Sequence, residues 1–460
     1  MSDILSPAIN GTSTTPSSTS PLSPLNTPFG ILTPSRTARP TARRRTDGLP
    51  AVGVDLASLG IYARSSAEKQ AKKTLPEGYD PMESRVARFS LQSVSRKLLP
   101  DSRTANCLRL RAFGQEIQVI RSIEYKTASY TGLQTCGSVW VCPVCAAKIA
   151  ERRRVEIQTA MALHKASGGS VYLLTLTFAH KLKELLTDNL DGLSLALRYF
   201  KEDFSVRSIF RELGILGQIR ALEVTHGRLS PSNNGWHPHP HILLFGTHGG
   251  LLKPFEDRLY ERWAACCVRA GLGMPSRLHG VKLDDGTKAA LYVSKWGLED
   301  EMTKGHTKKS KNGETPFDFL RAVLANAKDK QAGFLFKEYA EAFKGKRQLY
   351  WSSRLKKHFK IGEITDEELL AKTEDDAAIL GLITYDQWRE VLRDDGRAFL
   401  LQLAAKFGWS PVAEYLEVMQ ERHNERKRQE SQTVFEEVTS GWSEDLAKEF
   451  AKSLNLKGSK

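Results

Sequence analysis

The segment Gly235-Trp-His237-Pro-His239-Pro-His241-Ile-Leu-Leu-Phe245 sets three imidazoles at alternate positions and runs them into an apolar strand signal. In extended backbone, residues at i, i+2 and i+4 share a face, so His237, His239 and His241 project together while Ile242 and Leu244 project to the other side. Neutral imidazoles aligned on a stiff strand form a metal-ligand array. The plainer alternative is a histidine-rich turn feeding an ordinary strand. Residues 219–225 also alternate, with Leu222 and Val224 on one face and Glu223 and Thr225 on the other. A hairpin returning through the Ser-, Asn- and Gly-rich residues 227–235 could bring Glu223 beside the histidines as an oxygen ligand in a mixed N/O site. An ordinary surface glutamate is the alternative there. Further on, Tyr292 and Lys295 stand at i and i+3 of a helix expected over residues 288–296, on one face and within reach of the same phosphate.

A second constellation is made of sulfur. Cys142-Pro-Val-Cys145 is a knuckle whose two thiolates can grip one tetrahedral zinc, and Cys107 and Cys136 complete a four-sulfur site. Zinc would serve there as a core does elsewhere, because the segment is too small and polar to fold alone. A helix expected over residues 146–162 follows, carrying Arg152, Arg153 and Arg154 on its first turns. A zinc ribbon leading into a basic helix suits DNA contact. Cys266 and Cys267 lie in an apolar helix and read as core.

The elements that must position these groups read as follows. Strands are expected at residues 108–111, 117–123, 171–178, 219–225, 237–245, 281–283 and 347–352, and helices over 184–214, 254–269, 288–296 and 316–344. The turn Asp284-Asp285-Gly286-Thr287 caps the tyrosine helix, and Gly297 stops it. Residues 304–311 form a strongly basic loop. From about Asp366 the composition changes to helices with acidic turns, over 367–380, 385–393, 398–407 and 411–424. The chain thus divides into a disordered, basic Ser/Thr/Pro-rich leader over residues 1–80, a zinc-binding unit with its basic helix over 81–165, a catalytic domain over 166–360, and a helical C-terminal region over 361–460.

Bulk composition narrows the setting. Lys and Arg number 67 against 53 Asp and Glu, a formal charge of +14, which suits a polyanionic partner such as nucleic acid. Mean hydropathy is -0.37, and no apolar run reaches membrane-span length. Six cysteines in 460 residues, four at metal-like spacing, do not make a secreted disulfide framework. With no signal-peptide core after Met1, a reducing cytoplasm is the expected compartment.

Taken together, these residues resemble the rolling-circle replication initiators of bacterial plasmids, within the larger group of HUH endonucleases. The carrying motifs are Leu174-Thr-Leu-Thr177, His237-Pro-His-Pro-His241 and Tyr292-Val-Ser-Lys295, and the resemblance spans roughly residues 105–355. The lead-in Cys136-Gly-Ser-Val-Trp-Val-Cys-Pro-Val-Cys145 and Glu223-Val-Thr225 look typical of one zinc-containing branch. The resemblance implies an α+β fold, with a central antiparallel sheet of about five strands flanked by helices. It also implies site-specific nicking and joining of one DNA strand at a plasmid origin. His239 and His241 match the histidine pair, His237 a frequent additional histidine, and Glu223 the place of a third ligand for Mn²⁺ or Mg²⁺. Tyr292 matches the nucleophile that becomes a 5′-phosphotyrosine, and Lys295 the lysine one turn later. Host helicase and polymerase are the partners such an initiator implies besides DNA.

Two positions depart from the family pattern. Pro240 stands where a bulky apolar residue is usual, which implies that this strand end is at an edge or irregular. Lys288 stands four residues before Tyr292, where some initiators carry a glutamate that activates water at termination. The 288–296 helix has no second tyrosine, unlike two-tyrosine transposases and phage initiators. A relaxase or single-tyrosine transposase is the nearest alternative, although relaxases usually place their tyrosine near the N-terminus. A non-catalytic, zinc-dependent DNA-binding protein is the alternative from another class.

Overall fold

Residues 170–246 supply the three middle strands of the central sheet. The computed structural model describes residues 81–122, 127–231, 233–295, 313–371 and 377–453. The leader over 1–80, the basic loop over 304–311 and Gly297 lie outside the described residues. In chain order the first elements are α1 (Pro81–Leu98), β1 (Ile117–Ser122), β2 (Ala128–Thr131), α2 (Pro143–Ala166), β3 (Ser170–Leu176), α3 (Leu186–Glu202) and α4 (Phe204–Glu212). Next come β4 (Gly217–His226), β5 (Trp236–Gly246), α5 (Lys253–Arg269), β6 (Val281–Asp284), α6 (Gly286–Lys295), α7 (Pro316–Ala325), α8 (Lys330–Ala342) and β7 (Leu349–Trp351). The C-terminal part adds α9 (Leu355–His358), α10 (Asp366–Ala371), β8 (Ala377–Ile383), α11 (Tyr385–Arg393), α12 (Arg397–Phe407), α13 (Ser410–Thr439) and α14 (Glu444–Ser453).

The fold is α+β. Five antiparallel strands run in the order β6-β3-β5-β4-β7, with the histidine strand β5 in the middle. Both faces are covered, so β3 and the end of β5 are apolar on successive residues. Tyr172, Leu174, Leu176, Ile242 and Leu244 pack against α3, α4 and α5, where Phe200, Trp263, Cys266 and Cys267 are buried. Val171, Leu173, Leu243 and Phe245 face the other way, onto Ile157 and Met161 of α2, Ala289 and Val293 of α6, and Leu355 of α9. The odd-numbered histidines share parity with Leu243 and Phe245, so they belong to the face that α6 covers. Trp236 anchors the other end of β5 among Phe319, Phe336 and Tyr339 of α7 and α8.

Several expected elements are subdivided, and polar side chains mark the breaks. The run over 184–214 is two helices, because Asp203 caps the second by accepting from the Val206 N–H at 3.1 Å. The run over 316–344 is likewise interrupted, with Asp329 accepting from the Ala332 N–H to start α8. No strand forms at 108–111 beyond a single bridge from Arg111 to Leu133, because Leu108 turns the chain at φ +49°.

The expected helix over 367–380 is corrected more deeply. It stops at Ala371, and residues 377–383 form β8, which pairs with β1 in a second antiparallel sheet of order β2-β1-β8. An apolar run such as Ala-Ala-Ile-Leu-Gly-Leu-Ile has no period that separates strand from helix. Gly381 fits the strand because a Cβ there would lie 2.3 Å from the Trp409 ring. This sheet joins residues 117–131 to residues 377–383 around one core that includes Ile117, Val119, Trp388, Leu400 and Leu416. Among the described residues, no helix is long and apolar enough to cross a membrane.

Candidate active site and metal centre

The β4–β5 hairpin sets the register that builds the site. Gly227 N–H donates to Gly235 C=O at 3.0 Å, and Glu223 then lies directly across from His239, with Ala221 across from His241. The backbone also explains why proline alternates with histidine. Leu222 N–H points away from β5, to Gln348 C=O at 3.0 Å, so Leu222 and Pro240 form a pair that exchanges no hydrogen bonds. On its other side β5 is paired to β3 only as far as His241↔Thr175. Pro240 therefore sits in a central strand without breaking a ladder bond to β4, at the point where pairing to β3 ends.

Side chains from three elements meet over this end of the sheet. Glu223 Oε2 lies 3.4 Å from His241 Nε2 and 3.8 Å from His239 Nε2. One ligand atom from each of Glu223, His239 and His241 falls within 4.8 Å of the others, a group that could hold a metal ion. From α6, whose first turn is capped by Asp285 Oδ1 on the Thr287 and Lys288 N–H groups, the Tyr292 hydroxyl donates to Glu223 Oε1 at 2.6 Å. The Tyr292 and His241 rings lie 4.5 Å apart.

The hydrogen bonds select the ring tautomers. His239 Nδ1 donates to the His237 carbonyl at 3.1 Å, which leaves Nε2 with its lone pair. Thr175 Oγ1 partners His241 Nδ1 at 2.9 Å and allows the same arrangement there. His180 Nδ1 must donate to the Asn234 carbonyl at 2.7 Å, so its Nε2 accepts from His237 Nδ1, also at 2.7 Å. Burial opposes ionisation of Glu223, but the hydrogen bond and charge of His241, the charge of His239 and the Tyr292 bond hold its carboxyl down to about 2. Burial, then the charges of His239 and His180, push His237 down to about 3, and burial likewise lowers His239. A carboxylate with neutral imidazoles is a donor set that suits a divalent cation.

The other expected residues fall as follows. His237 stacks on His239 at 4.9 Å but does not join the converging ligand atoms, and it is tied instead to His180. The backbone of Lys295 ends α6, while its side chain lies outside the described residues. Lys288 is exposed on the first turn of that helix. His180 was not singled out from the sequence; its only signal there is its place three residues after Thr177.

The four cysteines come together as expected from their spacing. Cys107, Cys136, Cys142 and Cys145 are all buried and unpaired by disulfides, with Sγ···Sγ distances of 3.4 Å (107–145), 3.7 Å (136–145) and 3.8 Å (107–142). A tetrahedron with metal–sulfur bonds of about 2.3 Å has edges of about 3.8 Å, so the set fits zinc. Cys142 is the N-cap residue of α2 and Cys145 lies in its first turn. Leu370 and Ile149 close the cluster.

The basic helix is bound up in the fold. Arg153 donates to Asp366 at 2.6 Å, to Glu156 at 2.8 Å and to the Ile364 carbonyl at 2.7 Å, and the nearly buried Arg154 pairs with Glu151 and Gln158. Arg152 also has an interaction partner. The forks of Arg153 and Arg154 are thus occupied by internal acceptors.

Comparison with known proteins finds similarity to Protein rep of Streptomyces lividans, at 26% identity over 344 residues, covering 58% of this chain and 74% of that one. The chain is also similar to the Neomycin resistance protein of Streptomyces cyanogenus, at 33% identity over 171 residues, covering 29% of this chain and 38% of that one. No family model matches the chain, and no solved structure matches it significantly.

Proposed function

We propose that this protein initiates rolling-circle replication by nicking one DNA strand at an origin through a covalent Tyr292 intermediate, and later rejoins it. The observation that carries the reading is the convergence of Glu223, His239 and His241 on the Tyr292 hydroxyl, which donates to Glu223 Oε1 over 2.6 Å. The similarity to a protein named Protein rep supports replication as the setting. The formal charge of +14 supports a polyanionic substrate.

In the proposed reaction the Tyr292 phenol loses its proton and Oη forms a bond to the scissile phosphorus as the P–O3′ bond breaks. The products are a 5′-phosphotyrosine and an O3′ that takes up a proton, giving a 3′-OH that a polymerase can extend. Attack by a 3′-OH on the phosphotyrosine reverses the step, so the strand is resealed without ATP. Glu223 aims the phenol, and with His239 and His241 it would hold Mn²⁺ or Mg²⁺. Such a cation, when bound, supplies charge stabilisation to the phosphate oxygens. Thr175 orients the His241 ring, and His180 orients His237 beside the ligands. Lys295, one turn after Tyr292, offsets phosphate charge. The nicking chemistry is assigned to residues 166–360, with the four-cysteine unit holding structural zinc. Host helicase and polymerase would act on the opened strand.

The test does not require the origin to be known. Purified protein is incubated with Mn²⁺ and a degenerate single-stranded oligonucleotide pool, and SDS-resistant adducts are mapped by peptide mass spectrometry. DNA should be attached at Tyr292 and absent from Tyr292→Phe. His239→Ala combined with His241→Ala should lose the adduct while keeping its zinc. An adduct that survives Tyr292→Phe, or no adduct from the wild-type protein, sinks the reading.

A further inference from the structure

Arg397 begins α12 and is fully buried, at 0% exposure. Its Nη1 donates to Gln92 Oε1 at 2.7 Å and to the Leu108 carbonyl at 3.4 Å, and its Nη2 reaches Ser93 Oγ at 3.4 Å. The guanidinium lies 4.4 Å from the centre of the Phe89 ring, and Nε has no hydrogen-bond partner. Among the described residues the one carboxylate within 4 Å is Asp395, at 3.5 Å, and half of its side chain is in water. A guanidinium this deeply buried and this weakly countered is strongly unfavourable unless another negative charge is near.

That charge lies one side chain further on. Gln92 accepts from Arg397 on Oε1 and donates through Nε2 to Cys142 Sγ at 3.3 Å. Leu108, whose carbonyl takes the second Nη1 contact, directly follows Cys107 and is held in the left-handed region at φ +49°. The Arg397 fork therefore reaches the neighbourhoods of two of the four cysteines. One divalent cation bound by four thiolates carries a net charge of −2, which none of the cysteines supplies as a neutral thiol.

We propose that Arg397 is the counter-charge of a zinc–tetrathiolate centre, acting through Gln92 on Cys142 and through the Leu108 carbonyl beside Cys107. The zinc in this way fastens the C-terminal core to the N-terminal unit. The two regions already share the β2-β1-β8 sheet, and two further hydrogen bonds span the same junction. Tyr130 Oη donates to the Arg397 carbonyl at 2.8 Å, and Trp388 Nε1 donates to the Arg109 carbonyl at 2.7 Å. Metal loss should accordingly be felt hundreds of residues away in sequence. The inference depends on the four-cysteine site alone and is independent of the nicking chemistry.

The experiment uses the full-length protein loaded with zinc and titrated against the chromophoric chelator 4-(2-pyridylazo)resorcinol. Arg397→Met should weaken zinc retention 10- to 100-fold, the range for loss of a supporting partner of a metal ligand, and Arg397→Lys should recover part of it. Removing zinc from the wild-type protein should raise amide exchange in Ala377–Ile383 and Arg397–Phe407 while Ser170–Leu176 and Trp236–Gly246 stay protected. If Arg397→Met does not fold, Gln92→Leu severs the same link with Arg397 in place and should weaken zinc retention by at least tenfold. Zinc retention unchanged in Gln92→Leu overturns the proposal, as does unchanged exchange in residues 377–407 after zinc removal.

Discussion

Replacing Thr175 by valine should weaken the metal centre without touching a metal ligand. The hydroxyl lies 2.9 Å from His241 Nδ1 and keeps the ring oriented so that Nε2 stands 3.4 Å from Glu223 Oε2. Valine preserves the shape of the side chain and removes the oxygen. A half-buried Nδ1–H is then left without an acceptor, at a cost of about 1 kcal/mol, the lower end of the range for an orphaned donor. The imidazole gains access to rotated positions. Apparent metal affinity falls in proportion to the competent fraction of the ring. A cost of about 1 kcal/mol leaves a competent fraction of about 0.2, a loss of about fivefold, just short of the roughly 10- to 100-fold usual for loss of a partner to a metal-bound histidine. The Mn²⁺ concentration giving half-maximal adduct formation should rise by about fivefold, while the rate at saturating Mn²⁺ stays near that of wild type. Thr177→Val is the matched control. Its hydroxyl comes from the same motif but donates to the His279 carbonyl at 2.8 Å, away from the histidine ligands. Equal Mn²⁺ dependence in the two variants would refute the reasoning, as would a fall in the saturated rate with the half-saturation point unmoved.

Three further outcomes follow from the same contacts. Pro240→Ala should cost only about 0.4–1 kcal/mol, through the added freedom of the unfolded chain, because the Leu222–Pro240 pair exchanges no hydrogen bond that the ring could have displaced; a loss above about 2 kcal/mol in urea melts would show that the ring itself carries packing. Trp263→Ala should cost about 3–5 kcal/mol, since the ring is fully buried and its Nε1 donates to the Thr177 carbonyl at 2.7 Å, so a midpoint near wild type would contradict the core assignment. Glu223 is held down to about 2, so its carboxylate contributes stability that is complete above the ordinary carboxyl value near 4.3 and disappears as pH falls toward 2. Melting temperatures of wild type and Glu223→Gln, measured on metal-free protein, should converge across that window; curves that stay parallel would exclude the depressed carboxyl.

Much of the site could be read before any coordinates because strand parity is a local property. The alternation of His237, His239 and His241, and of Glu223 with Leu222 and Val224, needed only the two-residue period. One hairpin then set Glu223 opposite His239. The tyrosine helix was visible through its cap and its apolar spacing. Residues that depend on distant partners were not visible in this way. His180 matters through a carbonyl at Asn234 and a ring at His237, both more than fifty positions away. Arg153 looks like a phosphate contact until Asp366 arrives from 213 residues downstream. Arg397 was unremarked for the same reason: an arginine at the start of an apolar helix says nothing of the glutamine it will meet.

The case of Pro240 shows how a local rule can hold at one end of a strand that is central elsewhere. Proline removes a ladder donor, and from this the strand end was expected at an edge or in irregular backbone. The histidine strand is instead the third of five, bordered by β3 and β4. What the rule demands is a position whose N–H has no acceptor. Two separate features provide it here. The Leu222–Pro240 pair exchanges no hydrogen bonds, and β3 pairing ends one residue earlier, at His241. The end of β3 leaves the histidine end of β5 paired on one side only. The tyrosine helix α6 packs on the histidine face, which brings Tyr292 against Glu223. A central strand whose histidine end is paired mainly to β4 thus reconciles the two prolines with the site they flank: neither ring displaces a hydrogen bond to β4.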